Sequence, residues 1–221
     1  MQRILDVFFS ALALLILSPF LVPLIVILRC TGEGEVFFLQ RRVGRGGHHF
    51  NLFKFATMLK NSPNVGTGTL TVHKDPRILP FGDFLRKTKI NELPQLINIF
   101  SGDMSVIGPR PQTQRCFDAF PKSAQLVIVN VRPGLSGIGS IIFRNEEEMM
   151  HANNDPNRFY DEVIMPFKGI LEEWYVDNQS VLNYFKLIVL TFWVVLTSDS
   201  EIVWKFFKNL PLPPEELKQD C

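Results

Sequence analysis

From Ile4 to Leu28 the chain is apolar almost without interruption, with Asp6, Ser10 and Ser18 as the main breaks. A run of this length reaches the ~20 residues needed to cross a bilayer. It is too long for a cleaved signal peptide, and no small-residue cleavage site follows it, so it is expected to persist as an anchor. Pro19 and Pro23 lie inside the run. Each removes a helix donor and crowds the preceding turn, which predicts a kink. Ser18 can bond back to a carbonyl and add to the bend. The residues therefore predict a kinked membrane helix, and by themselves leave spanning and re-entry both open.

Arg3 precedes the segment, while Arg29, Arg41, Arg42 and Arg45 follow it. The heavier basic side predicts that the rest of the chain is cytoplasmic. Three cysteines, Cys30, Cys116 and Cys221, are odd in number and far apart, which fits a reducing compartment better than a disulfide framework. The formal net charge is +1, so bulk charge makes no case for nucleic acid. Many of the 20 phenylalanines adjoin Lys or Arg. An apolar ring beside a basic head suits a membrane interface, although for any single Phe a core position is the commoner role.

Val36 to Leu39 reads as a short strand. Arg41 to Gly47 is a basic, glycine-rich turn, and Phe50 to Met58 is a second extended or short helical run. Such turns bind phosphate in some proteins and are plain hairpins in many more. Residues 61–71 form a polar loop, and Asp75-Pro76-Arg77 and Pro80-Phe81-Gly82 mark turns. Apolar residues at helical spacing run to Phe100, with a helix start expected near Ile90 to Leu93. Asn91 and Glu92 at that start serve equally well as an ordinary cap. In Pro109-Arg110-Pro111 an arginine is restrained by two prolines, which suits aiming a guanidinium at a phosphate. Arg132-Pro133-Gly134 repeats the pattern, and Arg144 follows.

Asp161 to Asp177 reads as an amphipathic helix. Val181 to Thr197, with Trp193, Trp204, Lys205, Phe206, Phe207 and Lys208 near or beyond it, resembles helices that lie in the interface plane; a core helix is the alternative. The tail from Pro211 is rich in Pro and Glu, which predicts disorder. His48, His49, His73 and His151 lack metal-site spacing and are read as loop or surface residues.

These residues together resemble the bacterial sugar transferases, the monotopic polyprenyl-phosphate phosphoglycosyl transferases. The resemblance covers residues 1–200 in four ordered blocks. They are the helix broken at Ser18-Pro19; Arg42-x-Gly44 with Phe53-Lys54-Phe55-x-Thr57-Met58; Asp75-Pro76-Arg77-Ile78 through Phe84-Leu85-Arg86-Lys87-Thr88 to Asn91-Glu92-Leu93-Pro94-Gln95-Leu96; and Gly102-Asp103-Met104-Ser105 through Gly108-Pro109-Arg110-Pro111, with Arg132-Pro133-Gly134 beyond. Each block is weak alone, and four in order are specific.

The residues and the resemblance together predict a mixed α/β, helix-dominated fold with a kinked membrane helix (1–30), which the resemblance implies is re-entrant, and one cytoplasmic catalytic domain with the interfacial amphipathic helices that the resemblance implies (31–209); composition predicts a disordered tail (210–221). The resemblance implies transfer of a sugar-1-phosphate from a nucleotide sugar, a UDP-sugar, to undecaprenyl phosphate at the cytoplasmic face of the bacterial inner membrane. UMP leaves, and capsule, O-antigen or exopolysaccharide assembly begins. Mg²⁺ is the implied cofactor, held at Glu92 and the Asn91 position, and a homodimer is compatible with the family. Lys54, Arg86, Arg110, Arg132 and Arg144 are the candidate phosphate and nucleotide contacts.

Two positions depart from the family pattern. Asn91 stands where the family has its nucleophilic Asp, followed by Glu92, and a neutral amide is a poor nucleophile. Ala56 stands where a basic residue is usual. Three readings remain open at this point. The chain is a natural subgroup that uses Glu92 as nucleophile or base; or an impaired paralogue that binds nucleotide sugar or lipid and partners an active enzyme; or a transferase whose nucleophile was altered. A membrane-anchored scaffold is a fourth class, which UMP release would exclude.

Overall fold

The computed structural model describes residues 1–64, 75–151 and 155–218. His73, and the part of the polar loop beyond Asn64, lie outside the described residues. In chain order the elements are α1 (Gln2–Cys30), β1 (Phe37–Val43), β2 (His49–Phe55), α2 (Pro80–Lys87), α3 (Gln95–Ser101), β3 (Ser105–Ile107), α4 (Gln114–Asp118), α5 (Lys122–Ile128), β4 (Gly134–Ser136), α6 (Ile138–Ile142), α7 (Glu146–His151), α8 (Pro156–Phe159), α9 (Met165–Asp177), α10 (Val181–Thr197), α11 (Ile202–Phe206) and α12 (Glu215–Lys218). The described fold is thus mixed α/β and helix-dominated, with two two-stranded sheets, β1-β2 and β3-β4.

Helix α1 runs through both prolines. Pro19 has no N–H for the Leu15 carbonyl, and Ser18 Oγ donates to that carbonyl instead, at 2.8 Å. Most of the helix surface is uncovered: Leu15 is 72% exposed and Phe20 73%. It is the one helix among the described residues long and apolar enough to cross a membrane, and it marks the chain as membrane-associated.

The chain divides into two compact units. The anchor unit comprises Asp6–Arg41 and Asn51–Gly102, and the helical unit comprises Met1–Leu5, Arg42–Phe50 and Asp103–Cys221. In the anchor unit, Leu28 from the end of α1 packs with Phe55 and Leu85, with Leu24, Val36 and Ile90 around them. Gly82 lets α2 approach the strand exit, because a Cβ there would lie 2.1 Å from the Thr57 carbonyl oxygen. The Thr57 carbonyl also accepts the Leu79 N–H at 2.9 Å.

In the helical unit, β3 and β4 pair in parallel, Ser105 opposite Gly134 and Ile107 opposite Ser136. Helices α5, α6 and α10 pack around α9 and the strands. Tyr160–Ile164 form a π-helical turn between α8 and α9, so the expected helix from Asp161 to Asp177 is present with a local widening. Residues 210–218, the part of the tail among the described residues, depart from the expected disorder. Leu210 and Leu217 are 4% and 2% exposed, and the Trp204 indole N–H donates to the Pro211 carbonyl at 3.0 Å. Two leucine anchors and a satisfied indole hold a segment whose Pro and Glu content suggested otherwise.

Candidate active site

The sequence-predicted residues fall into two groups, one in each unit. Lys54, Arg86, Asn91 and Glu92 belong to the anchor unit; Arg110, Arg132 and Arg144 belong to the helical unit.

In the anchor unit, Lys54 sits on β2, and its strand is tied to α3 by Asn98, which is fully buried. The Asn98 side chain acts as a short strand: Oδ1 accepts the Phe53 N–H at 2.9 Å, and Nδ2 donates to the Asn51 carbonyl at 2.8 Å. Asn91 and Glu92 lie in a one-turn 3₁₀ helix, Ile90–Glu92, entered through Lys89 with φ 59°. The expected helix start is displaced: α3 begins at Gln95, and neither turn has a side-chain cap. Pro94 and the left-handed Lys89 break the run into two short pieces. Asn91 therefore does not cap a helix. It is 7% exposed, and its Oδ1 has no hydrogen-bond partner. A buried, unsatisfied amide oxygen is costly unless something else meets it.

An amide oxygen and a carboxylate on consecutive residues are hard donors. They fit Mg²⁺, which takes one or two protein oxygens and completes its shell with water and phosphate. Among the described residues there is no group of three or more His, Cys, Asp or Glu that would suit a metal held by protein ligands alone.

Arg86, in the last turn of α2, has Nη1 3.9 Å from Met58 Sδ. Ala56 is 5% exposed, and its N–H donates to the Val36 carbonyl. The position where the family places a basic residue is thus interior in this chain.

In the helical unit, three glycines press the Arg110 and Arg132 turns together, backbone on backbone. A Cβ at Gly108 would lie 2.6 Å from the Arg132 carbonyl oxygen, one at Gly134 2.1 Å from the Gly108 nitrogen, and one at Gly137 2.2 Å from the Gly108 carbonyl oxygen. The Pro109-Arg110-Pro111 turn is then bonded at each flank. Gly134 N–H donates to the Pro109 carbonyl at 2.8 Å, and Val43 N–H to the Gln112 carbonyl at 2.9 Å. Arg42 Nη1 donates to the Pro111 carbonyl at 3.0 Å. Arg42 of the Arg42-x-Gly44 motif is thereby a clamp on the arginine turn. Arg144 secures a helix end, since its Nη2 donates to the Val195 carbonyl at 3.3 Å, in the last turns of α10.

Sequence reasoning missed a buried charged cluster beneath the Arg110 turn. Lys168 and Glu172, one turn apart on α9, are 2% and 1% exposed. Lys168 Nζ lies 2.7 Å from Glu146 Oε2 and 5.2 Å from the centre of the Phe143 ring. Burial pushes the Glu172 carboxyl up to about 8, against the opposing pull of Lys168 and of a hydrogen bond from the Arg110 backbone N–H. A signal was available: Lys168 and Glu172 fall at helical spacing with the buried Ile164, Leu171 and Tyr175.

The family described as bacterial sugar transferase matches residues 1–198. The chain is 35% identical over 143 residues to the UDP-N-acetylgalactosamine-undecaprenyl-phosphate N-acetylgalactosaminephosphotransferase of Aeromonas hydrophila, covering 64% of this chain and 34% of that protein. It is 34% identical over 159 residues to the exopolysaccharide production protein ExoY of Rhizobium meliloti (strain 1021), covering 66% and 70%. It is 30% identical over 213 residues to the undecaprenyl-phosphate galactose phosphotransferase of Salmonella typhimurium, covering 90% and 41%. The chain thus spans about two fifths or less of the Aeromonas and Salmonella proteins. With its whole apolar helix and both arginine turns inside the matched region, this chain belongs to the bacterial sugar transferase family.

Proposed function

We propose that the chain transfers a sugar-1-phosphate from a UDP-sugar to undecaprenyl phosphate, releasing UMP. The observation that carries this reading is the Asn91-Glu92 turn. It has no capping role, it buries an unpartnered amide oxygen on the residue before a carboxylate, and the sequence resemblance aligns it with the family's reactive pair. The relatives' names describe this class of transfer to undecaprenyl phosphate. They give no support to an impaired partner protein.

An oxygen of the acceptor phosphate attacks the sugar-bearing phosphorus of the donor. The bond from that phosphorus to the bridging oxygen breaks, and UMP carries the bridging oxygen away. Phosphoryl transfer of this kind needs positioning and charge neutralisation above all. Arg110 and Arg132, on turns fixed against each other, supply cationic contacts to the diphosphate; Lys54 and Arg86 are the candidate phosphate contacts of the anchor unit. Glu92 takes the proton of the acceptor phosphate, because the amide of Asn91 has no basic electron pair to offer. Glu92 and the Asn91 oxygen would hold Mg²⁺, which when bound would supply positive charge to the donor's diphosphate.

The acceptor's prenyl chain stays in the bilayer, so the site sits at the membrane surface. Two observations support re-entry of α1 rather than a span. Its first turn bonds to protein, with Gln2 Nε2 donating to Ser105 Oγ at 3.0 Å and to the Ile107 carbonyl at 3.1 Å. Its last turns also pack on protein, at Phe55 and Leu85. A re-entrant helix would have both of its ends on the cytoplasmic side of the inner membrane. Helix α10 buries Tyr184, Leu187, Leu190 and Val194 but leaves Leu182, Phe185, Val189, Phe192 and Leu196 exposed. That stripe rests in the lipid interface.

The test is transfer of labelled sugar-1-phosphate into solvent-extractable lipid by the protein held in nanodiscs. Label in the lipid fraction that depends on both undecaprenyl phosphate and the UDP-sugar supports the reading. No label across a panel of UDP-sugars, with binding of UDP retained, would replace it with a binding protein.

A further inference from the structure

Pro109 and Pro111 have no N–H, so Arg110 holds the sole backbone donor within Pro109-Arg110-Pro111. That donor enters the helical unit and bonds to the Glu172 carboxyl. The other groups that hold the turn grip its carbonyls: Gly134 N–H at Pro109, Arg42 at Pro111 and Val43 N–H at Gln112. Glu172 is the one side chain in this set that acts on Arg110 itself.

The carboxyl is seated by shape as well as by charge. Gly139 on α6 faces it so closely that a Cβ there would lie 2.4 Å from Glu172 Oε1 and 3.3 Å from Lys168 Cγ. A Cβ at this crossing of α6 and α9 would displace the carboxyl group. Lys168 is paired with Glu146 at 2.7 Å, so Glu172 is the acid in excess of the local cation. Its Oε2 has no hydrogen-bond partner and is fully enclosed. A carboxyl that served only packing would be replaced at lower cost by an apolar side chain of similar volume.

We propose that Glu172 is a positioning residue for Arg110: by holding the only N–H of the proline-flanked turn, it fixes the direction in which the guanidinium meets the donor's diphosphate. The proposal rests on the reading above that Arg110 contacts the donor. Glu172 itself touches no substrate, and its effect passes through Arg110.

The experiment uses the full chain in nanodiscs with Glu172→Met, Glu172→Gln, Arg110→Ala and the Glu172→Met/Arg110→Ala pair. Met keeps the volume and removes the acceptor, and Lys168 keeps Glu146. Gln keeps a carbonyl oxygen for the Arg110 N–H. Two readouts are taken: hydrogen exchange of the peptide spanning Arg110, and the KM for the UDP-sugar against kcat for UMP release. The expected result is exchange of the Arg110 amide at least tenfold faster in Glu172→Met, a donor KM raised about tenfold, and values within about threefold of the parent in Glu172→Gln. The double variant should be no worse than Arg110→Ala alone, as for residues acting through one contact. Additive losses would make Glu172 merely structural and overturn the proposal. So would faster exchange with an unchanged donor KM, or a Gln variant as impaired as Met. If Arg110→Ala alone leaves the donor KM unchanged, the donor reading of Arg110 fails, while the exchange result still reports whether the Glu172 bond exists.

Discussion

Asn98 Oδ1 accepts the Phe53 backbone N–H at 2.9 Å, while its Nδ2 reaches the carbonyl two residues earlier at Asn51. One buried amide thus replaces an absent neighbouring strand and fixes the lysine-bearing strand against the helix that follows Asn91 and Glu92. Asn98→Ala takes the partner from two half-buried backbone groups, the Phe53 N–H and the Asn51 carbonyl, at about 1–3 kcal/mol. The thermal midpoint of the purified protein should fall by several degrees. Asn98→Asp keeps the acceptor and loses the donor, and is expected to fall between Ala and the parent.

Ser18 replaces the bond that Pro19 cannot make to Leu15. Ser18→Ala removes it at roughly 1 kcal/mol and should loosen the helix at Pro19, where the proposed re-entry requires a bend. Cysteines placed at Gln2 and at Glu33 in a background lacking other cysteines check this. Both should react with a membrane-impermeant maleimide only from the cytoplasmic side. Labelling of Gln2→Cys from the opposite side would make α1 a span.

Stability should carry a pH signature from Glu172. Burial raises its folded pKa to about 8 from the ordinary glutamate value of 4.5. The folded state therefore holds a proton that the unfolded state has released across this window. The associated stability is fully present below about pH 4.5 and is lost as pH rises to about 8, by on the order of 5 kcal/mol at most. Glu172→Gln cannot release that proton, so its midpoint should stay flatter over the window. Thermal denaturation from pH 5 to 9 compares the two. Parallel curves would show that Glu172 does not titrate there.

The exposed stripe of α10 should bind lipid. Phe192 is 67% exposed, and a charge there should weaken the lipid contact without disturbing the buried face. In liposome flotation of the protein with α1 shortened, Phe192→Glu is expected to reduce the bound fraction severalfold. The same substitution at the buried Leu190 should unfold the protein instead.

The strongly periodic or apolar segments were legible in the sequence. The run from Ile4 to Leu28 became one helix, and the expected apolar segment from Val181 to Thr197 coincides with α10. The arginines flanked by proline stood out because proline restricts what a turn can be. Other features depended on tertiary context. The helix start near Asn91 moved to Gln95, since Pro94 and the left-handed Lys89 are local breaks that outweigh a cap preference. The tail's packing rests on Leu210 and Leu217, two residues that composition cannot weigh against its prolines. Arg144 read as a phosphate contact, and its bond to Val195 is invisible without the fold. Asn98, Gln2 and Glu172 act through partners 45 to 173 residues away or through a single backbone N–H, and no local pattern announces such bonds.

The most direct test of the central claim is UMP release by the nanodisc-held protein with undecaprenyl phosphate, Mg²⁺ and a panel of UDP-sugars, for the native chain, Glu92→Gln and Asn91→Asp. The account predicts release from the native chain that needs lipid and donor, a loss of at least about a hundredfold in Glu92→Gln, and equal or faster release from Asn91→Asp. It also predicts sequential rather than ping-pong kinetics for the native chain, because an amide at position 91 forms no covalent phosphosugar. Release that is unchanged in Glu92→Gln, or that appears only in Asn91→Asp, would contradict it.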